Sequence, residues 1–311
     1  MNRMSSEDLL LVEQSKGIYG YLYYAGFRYW TASLLPALVG TTLPFWLRPS
    51  GFTFKWIGAI EFLIAALLFH SGFSFLLAWI QGKTTPYWPK YRLINYAGFC
   101  IIIACLLGLH LNTNMIFRPG VPNYIFVVFG LTTLFVGVLY VLPPFSFHRR
   151  VGGEVILTEG LGMIPVLGAY LVQVGDLTRT VYLASLPLVV TSGLWVWLDE
   201  LASRMDDQKI GRKTMVLDFG SRFSGRYGVS AIASLFILTI LLAVFSRALN
   251  PAVLISLLLV GILWKVATVS WKEYEISERM VEMGKLASVI HFITGSILVL
   301  SSLVILFLGD R

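Results

Sequence analysis

The chain has 311 residues, 57% of them hydrophobic and 13% charged, whereas soluble domains carry about a quarter charged residues. That balance excludes a water-soluble globule and predicts a polytopic membrane protein, with the net charge of +7 read as orientation rather than as affinity for nucleic acid. Short segments of alternating polarity are missing, so a β-barrel is not expected.

In chain order, residues 1–27 lack the basic start, apolar core and cleavage site of a signal peptide. Within them, Ser5-Ser6-Glu7-Asp8 followed by Leu9, Leu10, Leu11 and Val12 predicts a capped amphipathic helix on the cytoplasmic face. Nine apolar runs follow, at about 28–48, 54–80, 93–111, 122–142, 154–174, 178–198, 228–246, 250–270 and 286–308. A helix crosses a bilayer in roughly 20 residues. The expected fold is therefore all-α, one membrane domain over 1–311 whose residues 28–308 form a bundle of nine transmembrane helices. With the N-terminus inside, 18 of the 24 Lys and Arg fall on inner segments. The positive-inside rule then predicts a multi-pass protein with a cytoplasmic N-terminus and its C-terminus on the opposite side.

Cys100 and Cys105 share one apolar run and read as small buried residues rather than a disulfide or metal pair. Glu61, His70, Glu154, Glu159, Gln173, Lys265 and His291 interrupt the spans, and ionisable groups at membrane depth are functional candidates. His148 reads as interfacial rather than as a base. Gly152, Gly153, Gly160, Gly162, Gly168 and Gly175 read as close-packing positions. No nucleophile triad, CxxC pair or phosphate-binding glycine loop is present.

After the sixth run comes a dense polar stretch, WLDELASRMDDQKIGRKTMV, from Trp197 to Val216, expected to be an inner loop. It resembles the second aspartate-rich motif of the UbiA-type membrane prenyltransferases, N-E-x-x-D-x-x-x-D-x-x-x-G-K-R-T-L. Asp199-Glu200 stand at N-E, Asp207 at the second Asp, and Gly211-Arg212-Lys213-Thr214-Met215 at G-K-R-T-L. Tyr140-x-Leu142-Pro143-Pro144, Gly153-Glu154, GMIPVLGAYLVQVG from Gly162 to Gly175, and Ser185-Leu186-Pro187 look like the branch that prenylates 1,4-dihydroxy-2-naphthoate. Arg28 and TASLLPALVG, ending at Gly40, are similar too.

The resemblance implies nine helices and a site in which carboxylates of two motifs hold Mg²⁺ on a prenyl diphosphate, so that an aromatic acceptor can be alkylated. A leaving group so charged must be neutralised, and hard Mg²⁺ takes oxygen ligands. The chain departs from this pattern at the first motif, N-D-Y-x-D-Y-x-x-G-x-D. Aligned on Gly82, it reads Ser74-Phe75-Leu76-Leu77-Ala78-Trp79-Ile80-Gln81-Gly82-Lys83-Thr84, with Phe75, Ala78 and Thr84 at the carboxylate positions. Between Phe62 and Gly153 there is no Asp or Glu, and Ser203 replaces the first Asp of the second motif.

What remains implies one Mg²⁺ site at most, built from Asp207 with Glu200, Asp199 or Asp206 and the substrate's own phosphates. Lys83, Lys90 and Arg92, with Arg212 and Lys213, are candidates to bind a diphosphate without metal, and Arg222 and Arg226 extend the same basic face. The expectation is a bilayer-embedded, catalytically weakened prenyltransferase-like protein that holds an isoprenoid, quinone-like or lipid ligand, or a partner membrane enzyme. The alternative is an active prenyltransferase of quinone or related lipid biosynthesis, using Asp207 and Glu200 around a single metal.

Overall fold

The computed structural model describes residues 17–114 and 124–308, so the amphipathic helix expected around Leu9 lies outside the described residues. Every regular element among the described residues is helical, in agreement with the all-α expectation. A short helix α1 (Ile18–Tyr24) and a 3₁₀ turn (Phe27–Tyr29) lead into α2 (Thr31–Leu47), α3 (Trp56–Ile80), α4 (Lys90–Asn114) and α5 (Ile125–Val141). A second 3₁₀ turn (Phe147–Arg149) precedes α6 (Gly153–Gly162), α7 (Ile164–Val174), α8 (Arg179–Lys209) and α9 (Met215–Phe219). The chain continues as α10 (Ser221–Phe245), α11 (Pro251–Glu273) and α12 (Ser277–Leu308).

Among the described residues seven helical segments are long and apolar enough to cross a membrane: α3, α4, the α6–α7 pair, α8, α10, α11 and α12. At two of the nine expected spans stand α2 and α5, helices of 17 residues each, about 25 Å long and short of the roughly 30 Å hydrocarbon core. The fifth run is broken at Met163, because Pro165 has no backbone N–H and opens a new helix.

Helix α2 runs through the centre, packed on α7 and α12, and α8 packs on α6, α10 and α12. Close backbone approach sets these crossings. A Cβ added to Gly40 would lie 2.1 Å from the Val166 carbonyl oxygen, and one on Gly162 would lie 2.6 Å from the Val189 Cα. The central core gathers Val39, Leu43, Val166, Leu188, Leu194, Leu198, Phe236 and Ile290. Two histidines bond locally, half-buried His70 with Ser33 and fully buried His291 with Thr191, while the Nε2 of His291 has no hydrogen-bond partner among the described residues. Outward, Phe99, Ile102 and Leu106 on α4 and Leu238 and Phe245 on α10 stay exposed, an apolar surface suited to lipid and costly in water.

Candidate functional site

The polar stretch after the sixth run is helix as far as Lys209, rather than loop throughout. Leu201, Ala202, Met205 and Gln208 are good helix formers, so α8 runs on to Lys209 past the point where its hydropathy falls. Asp199, Ser203 and Asp207 therefore lie along one stripe, four residues apart. The helix stops where Gly211 takes a positive φ of 68°, and the turn ends at Thr214, whose Oγ1 accepts the Leu217 N–H and caps α9. The middle of this turn is pinned: Arg212 N–H donates to the Asp207 carbonyl at 2.9 Å, and Lys213 N–H to the Arg149 carbonyl at 3.0 Å.

That geometry carries the Arg212 side chain inward between two buried carboxylates. Its Nη2 donates to Glu200 Oε1 at 3.1 Å, its Nη1 reaches both oxygens of Asp207 at 3.3 Å, and its Nε donates to the His148 carbonyl at 2.7 Å. Ser203 Oγ donates to Asp207 Oδ2 at 3.0 Å. Burial works against the charge of Arg212, yet Asp207 and then Glu200 outweigh it and raise the guanidinium above its usual pKa. Glu154, close enough to interact with Glu200, accepts the Met215 N–H at 2.6 Å and the Gly152 N–H at 3.0 Å, which ties α6 to the start of α9.

The other acidic candidates are drawn elsewhere. Asp199 accepts the Tyr29 hydroxyl at 2.7 Å and pairs with Arg28 at 3.2 Å. Asp206 is exposed and pairs with Lys209 at 2.9 Å, so the two neighbouring aspartates differ, Asp207 buried and Asp206 in solvent. Arg204 is also buried, held by the carbonyls of Leu201 and Glu275.

At the corresponding end of α3 the first-motif positions are packing residues. Phe75 is fully buried, its ring 5.4 Å from Tyr21, 5.6 Å from Tyr96 and 5.9 Å from Trp88, with Tyr24 against Trp88. Ala78 is buried in the same cluster, and Thr84 is exposed on the loop that follows. Burial, foremost, raises the Tyr21 hydroxyl to about 12, so it packs as a neutral group.

Of the basic candidates, Lys90 lies 5.2 Å from the Trp79 ring centre, Arg92 lies 5.7 Å from that of Trp88, and Lys83 and Lys213 are exposed. Only Arg212 among the five is brought into the carboxylate cluster. The two motif ends are bridged by the turn after α1: Arg28 and Tyr29 hold Asp199, while Gly26, at φ +71°, leaves its missing Cβ only 2.6 Å from Ser74 Oγ.

As they stand, these residues do not fit a divalent cation. The Glu200 and Asp207 oxygens that would face it are taken by a guanidinium, Asp199 is spent on Arg28 and Tyr29, and Phe75 and Ala78 offer no oxygen. Among the described residues no group of three His, Cys, Asp or Glu side chains is placed to hold a metal.

Sequence reasoning missed three partners: the His148 carbonyl on Arg212, the Glu154 carboxylate on Met215 N–H, and Tyr29 on Asp199. The only advance signals were Glu154 as an ionisable group in a span and Arg28 as part of the family likeness. His148, expected at the interface, is buried with its Nδ1 on the Tyr140 carbonyl at 2.9 Å.

The profile of the UbiA prenyltransferase family matches residues 89–289. No curated sequence matches the chain at a significant level. The fold is similar to that of digeranylgeranylglyceryl phosphate synthase, with a TM-score of 0.64 and 10% identity over 92% of this chain and 98% of that one. It is similar to a UbiA homolog from Aeropyrum pernix K1, TM-score 0.65 and 17% identity over 88% and 98% of the two chains. A UbiA homolog from Archaeoglobus fulgidus bound to GPP and Mg²⁺ matches with a TM-score of 0.59 and 14% identity over 90% and 99%. At these identities the structural likeness is one of fold.

Proposed function

This chain belongs to the UbiA prenyltransferase family, and on that premise we propose that it is a multi-pass membrane protein that holds an isoprenoid diphosphate or a quinone-like amphiphile without the family's two-sided metal clamp. Prenyl transfer is correspondingly weakened. The observation that carries this reading is the Arg212 guanidinium seated between Glu200 and Asp207, with a buried phenylalanine at the first-motif position. GPP in the Archaeoglobus fulgidus homolog supports the ligand class.

In this reading α2 and α5 complete nine spans, with the N-terminus and both motif ends in the cytoplasm. Lys83, Lys90, Arg92 and Lys213 supply charge-assisted hydrogen bonds to the head group, and the tail lies among apolar helices. Losing half of the metal clamp removes several kcal/mol of transition-state stabilisation, on the order of 10³-fold in rate. The likeness to the naphthoate-prenylating branch makes 1,4-dihydroxy-2-naphthoate the first acceptor to try.

The test is binding and turnover of a radiolabelled polyprenyl diphosphate by protein in nanodiscs, with and without Mg²⁺, using Asp207→Asn and Lys83→Ala as comparisons. The expected result is binding that survives EDTA and weakens in Lys83→Ala, with turnover at most a trace. Fast Mg²⁺-dependent transfer abolished by Asp207→Asn would overturn the reading and establish an active enzyme built on Asp207 and Glu200.

A further inference from the structure

Glu200 and Asp207 are the two carboxylates that a metal at this end of α8 would require, and both are buried. A divalent cation such as Mg²⁺ needs near-octahedral oxygen ligation at about 2.1 Å, commonly one or two carboxylates plus water or phosphate oxygens. The guanidinium of Arg212 holds one oxygen of Glu200 and both oxygens of Asp207. A second cation cannot take those oxygens while Arg212 remains, because it would meet both the steric bulk of the fork and its charge at contact distance.

Arg212 is also not free to swing away. Its Nε is bonded to the His148 carbonyl, its own N–H to the Asp207 carbonyl, and the next residue's N–H to the Arg149 carbonyl. Withdrawing it would strand two buried carboxylates, which costs far more than the loss of a surface pair. One oxygen of the cluster has no partner: Glu200 Oε2 is buried and unbonded. Glu154 is the carboxylate nearest in influence to Glu200, so this side of the cluster is lined by oxygen and not by a second cation.

We propose that Arg212 is a resident cation that keeps the Glu200–Asp207 pair closed to divalent metal, and that neutralising this one side chain converts the cluster into a metal site. The inference deepens the reading above, from a clamp lacking one half to a clamp whose other half is occupied by the protein itself. It assigns the metal-independence to a single replaceable residue.

The experiment is Mn²⁺ titration followed by EPR on purified protein in detergent, comparing wild type, Arg212→Gln and Arg212→Gln/Asp207→Asn, each checked for a monodisperse fold. Wild type should show no Mn²⁺ site that depends on Asp207. Arg212→Gln should gain one site per chain, binding at least tenfold more tightly than any site in wild type, and the double variant should lose it. A folded Arg212→Gln without that gain overturns the proposal. Should the glutamine variant not fold, wild type against Asp207→Asn decides: an Asp207-dependent Mn²⁺ signal in wild type overturns the proposal, and identical spectra support it. The diphosphate-binding assay is run separately with EDTA. Asp207-dependent Mn²⁺ binding without prenyl transfer would defeat the resident cation alone, whereas Mg²⁺-driven turnover would defeat the functional reading.

Discussion

At the end of α8, two carboxylates and a guanidinium are buried against one another, with Ser203 and the His148 carbonyl adding hydrogen bonds. At the corresponding end of α3, where the family pattern also expects carboxylates, Tyr21, Tyr24, Phe75, Trp88 and Tyr96 pack ring on ring. The charged half is held by mutual need, because each ion is tolerable only while its partners stay. The aromatic half is held by area, since each ring buries roughly 150–250 Å² and needs no specific charge. A site can keep its shape while exchanging one kind of cohesion for the other, and only the charged half retains chemistry.

The largest effect should come from forcing the aromatic half back toward a carboxylate. Phe75→Asp removes a fully buried ring, itself worth about 3–5 kcal/mol, and adds an unpaired charge among aromatics. Loss of the folded peak in size-exclusion chromatography is expected. A well-folded Phe75→Asp protein that binds Mn²⁺ would break the contrast between the halves. Next in size is Arg212→Gln, which should cost about 3–5 kcal/mol through two stranded carboxylates. The triple variant Glu200→Gln/Asp207→Asn/Arg212→Gln should recover most of that in a thermal melt, and failure to recover would mean that packing rather than charge holds this end.

Asp199→Asn should be milder, about 0.5–1.5 kcal/mol, because the exposed Arg28 pair is screened and Tyr29 keeps an oxygen to bond. The smallest effect is that of pH. Burial foremost, with Arg212 and Arg149 adding to it, lowers the His148 imidazole below its ordinary 6.5 despite the Tyr140 bond. The unfolded chain then takes up the proton first, so the contribution is complete above pH 6.5 and is lost as pH falls through that value toward the folded one. Melting temperature should decline on acidification from pH 7, and the decline should be shallower in His148→Gln.

The family and the helical spans were legible because lipid demands long apolar runs and because Gly211–Met215 keeps its motif order. Where α8 ends was not, since hydropathy marks the membrane and not the helix, and Leu201 to Gln208 continue the helix outside any apolar window. Asp207 and Arg212 could be named from the motif, yet their pairing could not. It depends on the turn at Gly211 and on the His148 carbonyl, 64 residues distant. Phe75 could be seen to lack a carboxylate, but its burial depends on Tyr21 and Tyr96, whose approach no local pattern encodes. Asp199, expected near the metal, is drawn to the turn at Arg28 for the same reason.

Because Asp199 and Asp207 stand eight residues apart on continuous helix, their α-carbons are separated by about 12 Å along its axis. The stripe thus works as a ruler of fixed length with an acidic rung at each end. A compact head group can touch one rung at a time, and only a molecule extended along α8 could answer both. Neither rung is bare: a bound molecule reaches Asp207 only by displacing Arg212 and Ser203, and Asp199 only by displacing Arg28 and Tyr29.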